Sequence, residues 1–372
     1  ERVAYPVVVR PSYVLGGRGM AIVFDSKSLN RYMTEAVDVS HDRPVLIDKF
    51  LEDAFEFDVD AVADADGSVV LGGIMEHIEE AGIHSGDSSS VVPSFLAGEK
   101  HLSTMRDYTR RIARALNVVG LMNVQYAVKD DTVYVLEVNP RSSRTVPYIS
   151  KATGIPLAKA AAQVSAGRSL VELGLVDDLE AAGVFVKSPV FPFVRFPGVD
   201  TILGPEMKST GEVMGCSDNF GVAFIKAMQG AGQGLPESGC VFISVNNSDK
   251  AAMLPIAKDL AELNFKLTAS RGTAAFLRGH GVDVEVVYKV NEGRPNVADY
   301  IVNKKIDLVI NTPLGRESFF DDRSVRRAAT MAQVPCITTL TGAAASVMAI
   351  RALRDRGLSV CSLQEYYEGK AP

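Results

Sequence analysis

Gln125-Tyr126-Ala127-Val128-Lys129-Asp130-Asp131-Thr132-Val133-Tyr134-Val135-Leu136-Glu137-Val138-Asn139-Pro140-Arg141-Ser142-Ser143-Arg144 reads as two strands folded about a tight acidic turn. Residues 122–128 and 133–138 are rich in β-branched and aromatic side chains, and the polar residues between them are turn-forming. A three-residue loop from Asp130 to Thr132 sets Lys129 opposite Val133 and Gln125 opposite Glu137. Directly opposed side chains have Cβ atoms roughly 5 Å apart. Asn139, two residues beyond Glu137, projects from the same face. The other face carries Val124, Tyr126, Leu136 and Val138, which suit a core. One carboxylate and two amides thus converge on one surface. Hard oxygen donors of this kind suit magnesium or manganese, with phosphate oxygens completing the shell. Arg141 and Arg144 follow, and their guanidinium groups suit bidentate binding of a carboxylate or a transferring phosphoryl group. A solvated edge hairpin is the plainer reading of E-x-N alone; the paired Gln and the trailing R-x-x-R favour the site.

Outward from the hairpin, residues 7–10 form a short strand running into Gly16-Gly17-Arg18-Gly19. Arg10 and the glycine loop offer a triphosphate a cation and close backbone approach, although GGRG is equally an ordinary flexible turn. Residues 45–50 form an apolar strand with a charged exit through Lys49 and Leu51; its backbone suits an adenine, and Glu56 a ribose. Residues 57–63 and 69–74 are further strands, and 104–116 a helix with charges on one face. Residues 75–88 make a polar, glycine-punctuated loop holding His77 and His84. A polar loop between apolar strands often carries function, but these histidines lack the third partner that zinc requires. Residues 156–166 are an Ala-rich helix, and residues 185–215, rich in Pro and Gly, are expected to be irregular.

Gln229-Gly230-Ala231-Gly232-Gln233-Gly234-Leu235-Pro236 reads as a linker that divides the chain into residues 1–229 and 230–372. Beyond it strands and helices alternate: strands at 241–245, 265–269, 284–288 and 307–311, helices at 249–263, from Thr273, at 324–332 and at 343–354. Repeated βα units predict a Rossmann-like parallel sheet covered on both faces. Lys250, Ser270, Thr273, Lys289, Asn311 and Thr312 then lie at the C-terminal strand ends, where such sheets bind ligands. The turn at Ser270-Arg271-Gly272-Thr273 opens a helix, whose N–H groups and dipole favour a phosphate.

The 372 residues are 47% hydrophobic and 23% charged, an ordinary globular balance, and the formal net charge of −6 argues against a nucleic-acid partner. Cys216, Cys240, Cys336 and Cys361 form no C-x-x-C pair and read as thiols of a reducing, cytoplasmic compartment. No apolar run reaches membrane-spanning length. The chain opens on Glu1 rather than Met and soon enters a strand, so it is expected to be a piece of a longer protein.

These residues add up to a resemblance. Arg10-Pro11-Ser12-Tyr13-Val14-Leu15-Gly16-Gly17-Arg18, Gly73-Ile74-Met75-Glu76-His77-Ile78-Glu79 and Glu137-Val138-Asn139-Pro140-Arg141-Ser142-Ser143-Arg144-Thr145 closely resemble the ATP-grasp ligases. More narrowly, Val146-Pro147-Tyr148-Ile149-Ser150-Lys151-Ala152-Thr153-Gly154, Phe196-Pro197-Gly198-Val199-Asp200 and the run from Gly204 to Gly215 resemble the carbamoyl-phosphate synthase large subunits, over essentially the whole chain. The resemblance implies an α/β and α+β architecture: an ATP-grasp domain lacking its N-terminal part, then a methylglyoxal-synthase-like regulatory domain, together the C-terminal part of the subunit. It implies phosphorylation of carbamate by ATP to carbamoyl phosphate, for arginine and pyrimidine biosynthesis.

By the same resemblance Arg10, Lys49, Leu51, Glu56, Gly82, Ile83, His84, Ser85, Gln125 and Glu137 contact ATP. Gln125, Glu137 and Asn139 hold Mg2+ or Mn2+, with K+ as a further cation, and Arg141 and Arg144 hold the transferred group. A glutaminase small subunit and an oligomeric intact enzyme are implied, with UMP, and in some relatives IMP, bound at Lys250, Ser270, Thr273, Lys289, Asn311 and Thr312. The loop from Asn311 to Glu317 lacks the catalytic aspartate of methylglyoxal synthase, so this domain reads as a sensor. Ornithine activation would involve His77, Glu79, Asp87 and Thr338, but Ser188 replaces an acid and Cys336 an aromatic of that pattern, which removes a partner for a cationic amino acid. The alternatives are another ATP-grasp ligase, of biotin-carboxylase or purine-pathway type, and a free-standing nucleotide-binding module.

Overall fold

The computed structural model describes residues 3–12, 17, 19–37, 44–52, 54–195, 201–312 and 316–369. Gly16 and Arg18 of the glycine loop, the phrase at 196–200 and residues 313–315 of the aspartate-free loop lie outside the described residues. The chain divides into two compact units, one of residues 1–184, 203–209 and 361–371, the other of residues 185–202 and 210–360. Among the described residues no helix is long and apolar enough to cross a membrane.

The first unit opens with β1 (Val7–Pro11), β2 (Ala21–Val23), α1 (Ser26–Val37) and β3 (Val45–Lys49), whose strands form an antiparallel sheet in the order β2-β1-β3. Then come β4 (Phe55–Ala63), β5 (Val69–His77), β6 (Ser90–Val92), α2 (Glu99–Ala115), β7 (Gly120–Lys129), β8 (Thr132–Asn139), α3 (Val146–Thr153) and α4 (Leu157–Ser165). Their strands lie in the order β6-β5-β4-β7-β8, each pair antiparallel.

Alternation along β4 and β7 decides which face meets α2. Phe57, Val59, Ala61, Met122, Val124 and Tyr126 are buried there with Met105 and Ala113 of α2. Burying each of the larger side chains stabilises by about 1.5–3 kcal/mol. The Tyr126 hydroxyl, sealed in this core, is hydrogen-bonded to Thr109 Oγ1 at 2.8 Å, so burial leaves no orphan there. On the opposite face α3 and α4 lie so close that a Cβ on Gly72 would meet Leu157 Cδ1 at 2.7 Å and Ile149 Cγ2 at 3.0 Å.

The second unit begins with β9 (Val184–Val190) and its neighbour β10 (Gly211–Ser217), followed by α5 (Phe220–Gly230). Both strands fall in the stretch expected to be irregular. Pro189 and the glycines obscure an extended Phe185-Val186-Lys187-Ser188 segment that is buried throughout. The expected linker also starts inside the last turn of α5, whose entry is capped by Asn219 accepting from Val222 N–H. Next come β11 (Cys240–Val245), α6 (Lys250–Glu262), β12 (Lys266–Ala269), α7 (Arg271–Gly279), β13 (Glu285–Val286), α8 (Val297–Val302), β14 (Leu308–Thr312), α9 (Arg316–Ala332), β15 (Cys336–Ile337) and α10 (Leu340–Arg356). The sheet order is β13-β12-β11-β14-β15, all parallel. β11 and β14 are buried along their whole length, as central strands of a doubly covered sheet must be. A final helix, α11 (Leu363–Tyr367), belongs to the first unit.

Candidate nucleotide and metal site

Three adjacent strands bring the polar residues of the first unit into two rows. Asp58 of β4 stands opposite Gln125 of β7, which stands opposite Glu137 of β8. One step along, Asp60, Asn123 and Asn139 repeat the arrangement. The pairing of Gln125 with Glu137 is as expected, but the path to it is not. Lys129 pairs with Thr132 rather than Val133, so the turn has two residues, and Asp130 and Asp131 take positive φ of 48° and 62°. A β-bulge between Gln125 and Tyr126 then absorbs one residue of β8 and restores the register. Val133 and Val138 are the β8 side chains that pack against the α2 core, with Leu136 at the bulge. Gln125 and Asn139 are half-buried; Glu137, Arg141 and Arg144 are exposed.

Beside the rows runs a buried hydrogen-bond line. His77 Nε2 pairs with Asp58 Oδ2 at 2.8 Å, and its Nδ1 lies 3.6 Å from Glu56 Oε2, an ion-pair rather than a hydrogen-bond distance. Asn123 Nδ2 donates to Asp58 Oδ1 at 3.2 Å and to Asp60 Oδ1 at 3.1 Å. Asp60 also accepts from the hydroxyls of Ser143 at 2.7 Å and Thr145 at 2.6 Å. Burial by itself would lower the pKa of His77, but the hydrogen bonds and charges of Asp58 and Glu56 outweigh it and raise the value to about 9. Burial pushes Asp60 up to about 6, against the hydroxyl donors that favour its anion.

The polar loop after β5 closes onto these residues. Gly82 N–H donates to Glu56 Oε1 at 3.1 Å, and Gln125 Nε2 donates to Ser85 Oγ at 2.8 Å. Gly82 has φ +101°, and a Cβ there would lie 2.9 Å from the Phe50 ring and 3.3 Å from Ile22 Cδ1. The small sheet therefore packs on the loop at its glycine. Glu56, Gly82, Ser85, Gln125 and Glu137 are thus drawn together, with Ile83 and His84 half-buried in the same loop. His84 Nδ1 accepts from Gly86 N–H at 3.0 Å. Arg10 pairs with Asp48 across β1 and β3 at 3.0 Å; Lys49 is exposed and Leu51 half-buried at the exit of β3.

Of the expected activator residues, Asp87 is fully buried and accepts from the backbone N–H groups of Lys208 at 2.7 Å and Ser209 at 2.8 Å, and Glu79 accepts from Ser89 N–H at 2.6 Å. Thr338 follows β15 in the second unit. His77 Nδ1, Ser88 Oγ and Ser90 Oγ are buried polar atoms of this loop region with no hydrogen-bond partner among the described residues.

In the second unit Ser270, Thr273, Asn311 and Thr312 meet at the C-terminal ends of β11, β12 and β14. Ser270 Oγ lies 3.1 Å from Ser244 Oγ and 3.3 Å from Thr273 Oγ1, and Thr312 Oγ1 accepts from Asn246 N–H at 3.4 Å. A Cβ on Gly272 would lie 3.4 Å from Lys250 Nζ, so that ammonium sits over the first turn of α7. Lys289, beyond β13, uses its N–H to bind Glu292 at 2.8 Å. The sequence reading missed Arg326 of α9, fully buried, whose guanidinium donates to Asn311 Oδ1 at 3.3 Å. It also missed Asp58, Asp60, Asn123, Ser143 and Thr145.

Fold and site define the class: an ATP-grasp architecture joined to a Rossmann-like parallel sheet. Residues 1–173 match the family described as carbamoyl-phosphate synthase L chain, ATP binding domain, and residues 252–338 match the MGS-like domain. The carbamoyl phosphate synthase large chain of Acidobacterium capsulatum is 54% identical over 378 residues, covering 100% of this chain and 34% of the relative. Those of Synechocystis and Archaeoglobus fulgidus are 56% and 55% identical, covering 98% and 99% of this chain and 34% of each relative. In fold, the chain resembles the biotin carboxylase domain of Hydrogenobacter thermophilus 2-oxoglutarate carboxylase, at 18% identity and a TM-score of 0.50 over 62% of this chain and 57% of that one. The chain is similar to the carbamoyl phosphate synthase large chains along its whole length and spans about a third of theirs.

Proposed function

We propose that this chain is the C-terminal part of a carbamoyl-phosphate synthase large subunit and carries the step in which ATP phosphorylates carbamate. The observation that supports it most is the direct opposition of Gln125 and Glu137, with Arg141 and Arg144 beyond Asn139, in a chain more than half identical to such subunits along its length. A carbamate oxygen attacks the γ-phosphorus of ATP, the β–γ bridging bond breaks, and carbamoyl phosphate and ADP result. Such a reaction demands positioning and charge neutralisation rather than proton transfer.

Gln125, Glu137 and Asn139 would hold Mg2+, or Mn2+, which screens the β- and γ-phosphate oxygens when bound. One carboxylate and two amides fit a hard cation that keeps ligand positions for phosphate and water. Arg141 and Arg144 orient carbamate and the transferred group. Glu56 and the loop from Gly82 to Ser85 hold the nucleoside, with Lys49 and Leu51 at the adenine and Arg10 at the phosphates. The orphaned hydroxyls of Ser88 and Ser90 suit a further bound water or K+.

In this reading residues 1–229 form the synthetic domain and residues 230–372 an allosteric one, where Lys250, Ser270, Thr273, Lys289, Asn311 and Thr312 bind the phosphate and base of a nucleotide such as UMP. His77, Glu79 and Asp87 in the first unit, and separately Thr338 in the second, are the candidates for activator contacts. A glutaminase small subunit supplies ammonia to the intact, oligomeric cytoplasmic enzyme. Glu137→Gln in the full-length protein tests the assignment: carbamoyl-phosphate synthesis should be lost while bicarbonate-dependent ATP hydrolysis persists. Normal synthesis in that variant would remove Glu137 from the metal site.

A further inference from the structure

The segment that carries both arginines has no regular secondary structure between the end of β8 and the start of α3. It is tied from below by a side chain on a strand some 80 positions earlier. Asp60 is 0% exposed, and three donors converge on it: Ser143 Oγ at 2.7 Å, Thr145 Oγ1 at 2.6 Å and Asn123 Nδ2 at 3.1 Å. The two hydroxyls bracket Arg144, and Arg141 lies two residues before Ser143. Arg141 itself reaches back to Asn139 Oδ1 at 3.1 Å and Ser142 O at 3.0 Å.

Packing alone does not require an acid here. A buried carboxylate is costly unless its oxygens are engaged, and replacing such a group together with its partners by apolar residues is often neutral for stability. What the carboxylate provides that an apolar side chain cannot is a fixed direction for two hydroxyls, and through them for the backbone between.

We propose that Asp60 is a positioning residue for phosphoryl transfer, holding the hydroxyls of Ser143 and Thr145 so that Arg141 and Arg144 meet the transferred group at a set height and angle. The inference rests on the ligase reading above. Asp60 touches no reacting atom; it acts through the segment from residue 140 to 145. Misplacement of a charge-stabilising group by about 1 Å can cost on the order of 100-fold in rate, so the effect should fall on kcat rather than on nucleotide affinity.

The test uses the full-length enzyme and follows ATP formed from MgADP and carbamoyl phosphate. Asp60→Asn and Thr145→Val should each lower kcat about tenfold or more with KM for ADP changed by less than about twofold, and Thr145→Ser should return kcat to within about twofold of the parent. Thr145→Val preserves volume, so that pair decides the matter if Asp60→Asn does not fold. Unchanged kcat in Thr145→Val, a loss confined to KM, or a Thr145→Ser variant as impaired as Thr145→Val would each overturn the role. Glu137→Gln run alongside separates the two claims. If the parent itself forms no ATP, the ligase reading falls and this inference with it; if Glu137→Gln is as active as the parent, only the metal assignment falls. If it is inactive while Asp60→Asn and Thr145→Val turn over normally, only the positioning role falls.

Discussion

Gln125 stands directly opposite Glu137 because a bulge in β8 compensates for a turn one residue shorter than a simple ladder would need. The amide and the carboxylate owe their meeting to two local irregularities rather than to an even hairpin. The turn depends on positive φ at Asp130 and Asp131.

Asp130→Gly should therefore leave metal-dependent activity intact, since glycine adopts that conformation freely. Asp130→Pro, which fixes φ near −65°, should cost about 3 kcal/mol or more and abolish the activity although the residue is far from any phosphate. Denaturant unfolding with an ADP-phosphorylation assay reads both; a fully active proline variant would contradict this account of the register.

Gly82 is the point where the small sheet presses on the nucleotide loop. Gly82→Ala adds a Cβ to a left-handed backbone and drives it into the Phe50 ring. Each effect costs about 1–2 kcal/mol. The loop should shift, and KM for ATP should rise about tenfold with a smaller change in kcat. Steady-state kinetics at varied ATP decide it, and wild-type KM would mean that the loop does not meet nucleotide at Gly82.

The buried line from Glu56 to Asp60 makes stability depend on pH in two windows. His77, with its pKa raised to about 9 by Asp58 and Glu56 against burial, contributes stability that is complete below its ordinary 6.5 and is lost as pH rises through about 9. Asp60, raised by burial to about 6, contributes in the same sense from 3.8 to about 6. Urea midpoints should thus fall between pH 6.5 and 9.5 by the equivalent of a few kcal/mol, and His77→Gln should flatten that fall. Asp60→Asn should flatten only the lower window. Parallel pH profiles for all three proteins would show that neither group titrates as described.

In the second unit, Lys250 over Gly272 and Thr273 beneath Val245 form the phosphate end of the proposed regulatory site. Lys250→Ala with Thr273→Ala should weaken UMP binding in calorimetry by about tenfold or more, the worth of a charge-assisted contact and a hydrogen bond. Unchanged binding would move the effector elsewhere.

How much of this was legible in the chain differs by element. The β7–β8 ribbon could be read because one face is apolar at every second residue, and the parallel sheet because βα units repeat. β9 was hidden by Pro189 and by a run too short to show a period. The acids at 56, 58 and 60 alternate as a solvent-facing edge would. Asp58 is covered by His77 and Asn123, and Asp60 by Ser143 and Thr145 more than 80 residues away, so no local pattern announces their burial. Arg326 likewise looks like one charge among several on α9, and it is the contact with Asn311 that gives it a place.

The last helix has a consequence for how the molecule is made. Tyr367 packs against Gly154 and hydrogen-bonds Lys151 O, and Tyr366 donates to Ala182 O at 3.4 Å. Asp87 likewise waits for the N–H groups of Lys208 and Ser209. During synthesis the first unit therefore stays unfinished while the whole of the second emerges from the ribosome. The order of translation is not the order of completion: the first unit is sealed by a helix made after the second. A single proteolytic cut just after Val360, where the second unit ends, would detach from the chain a helix that the first unit still needs.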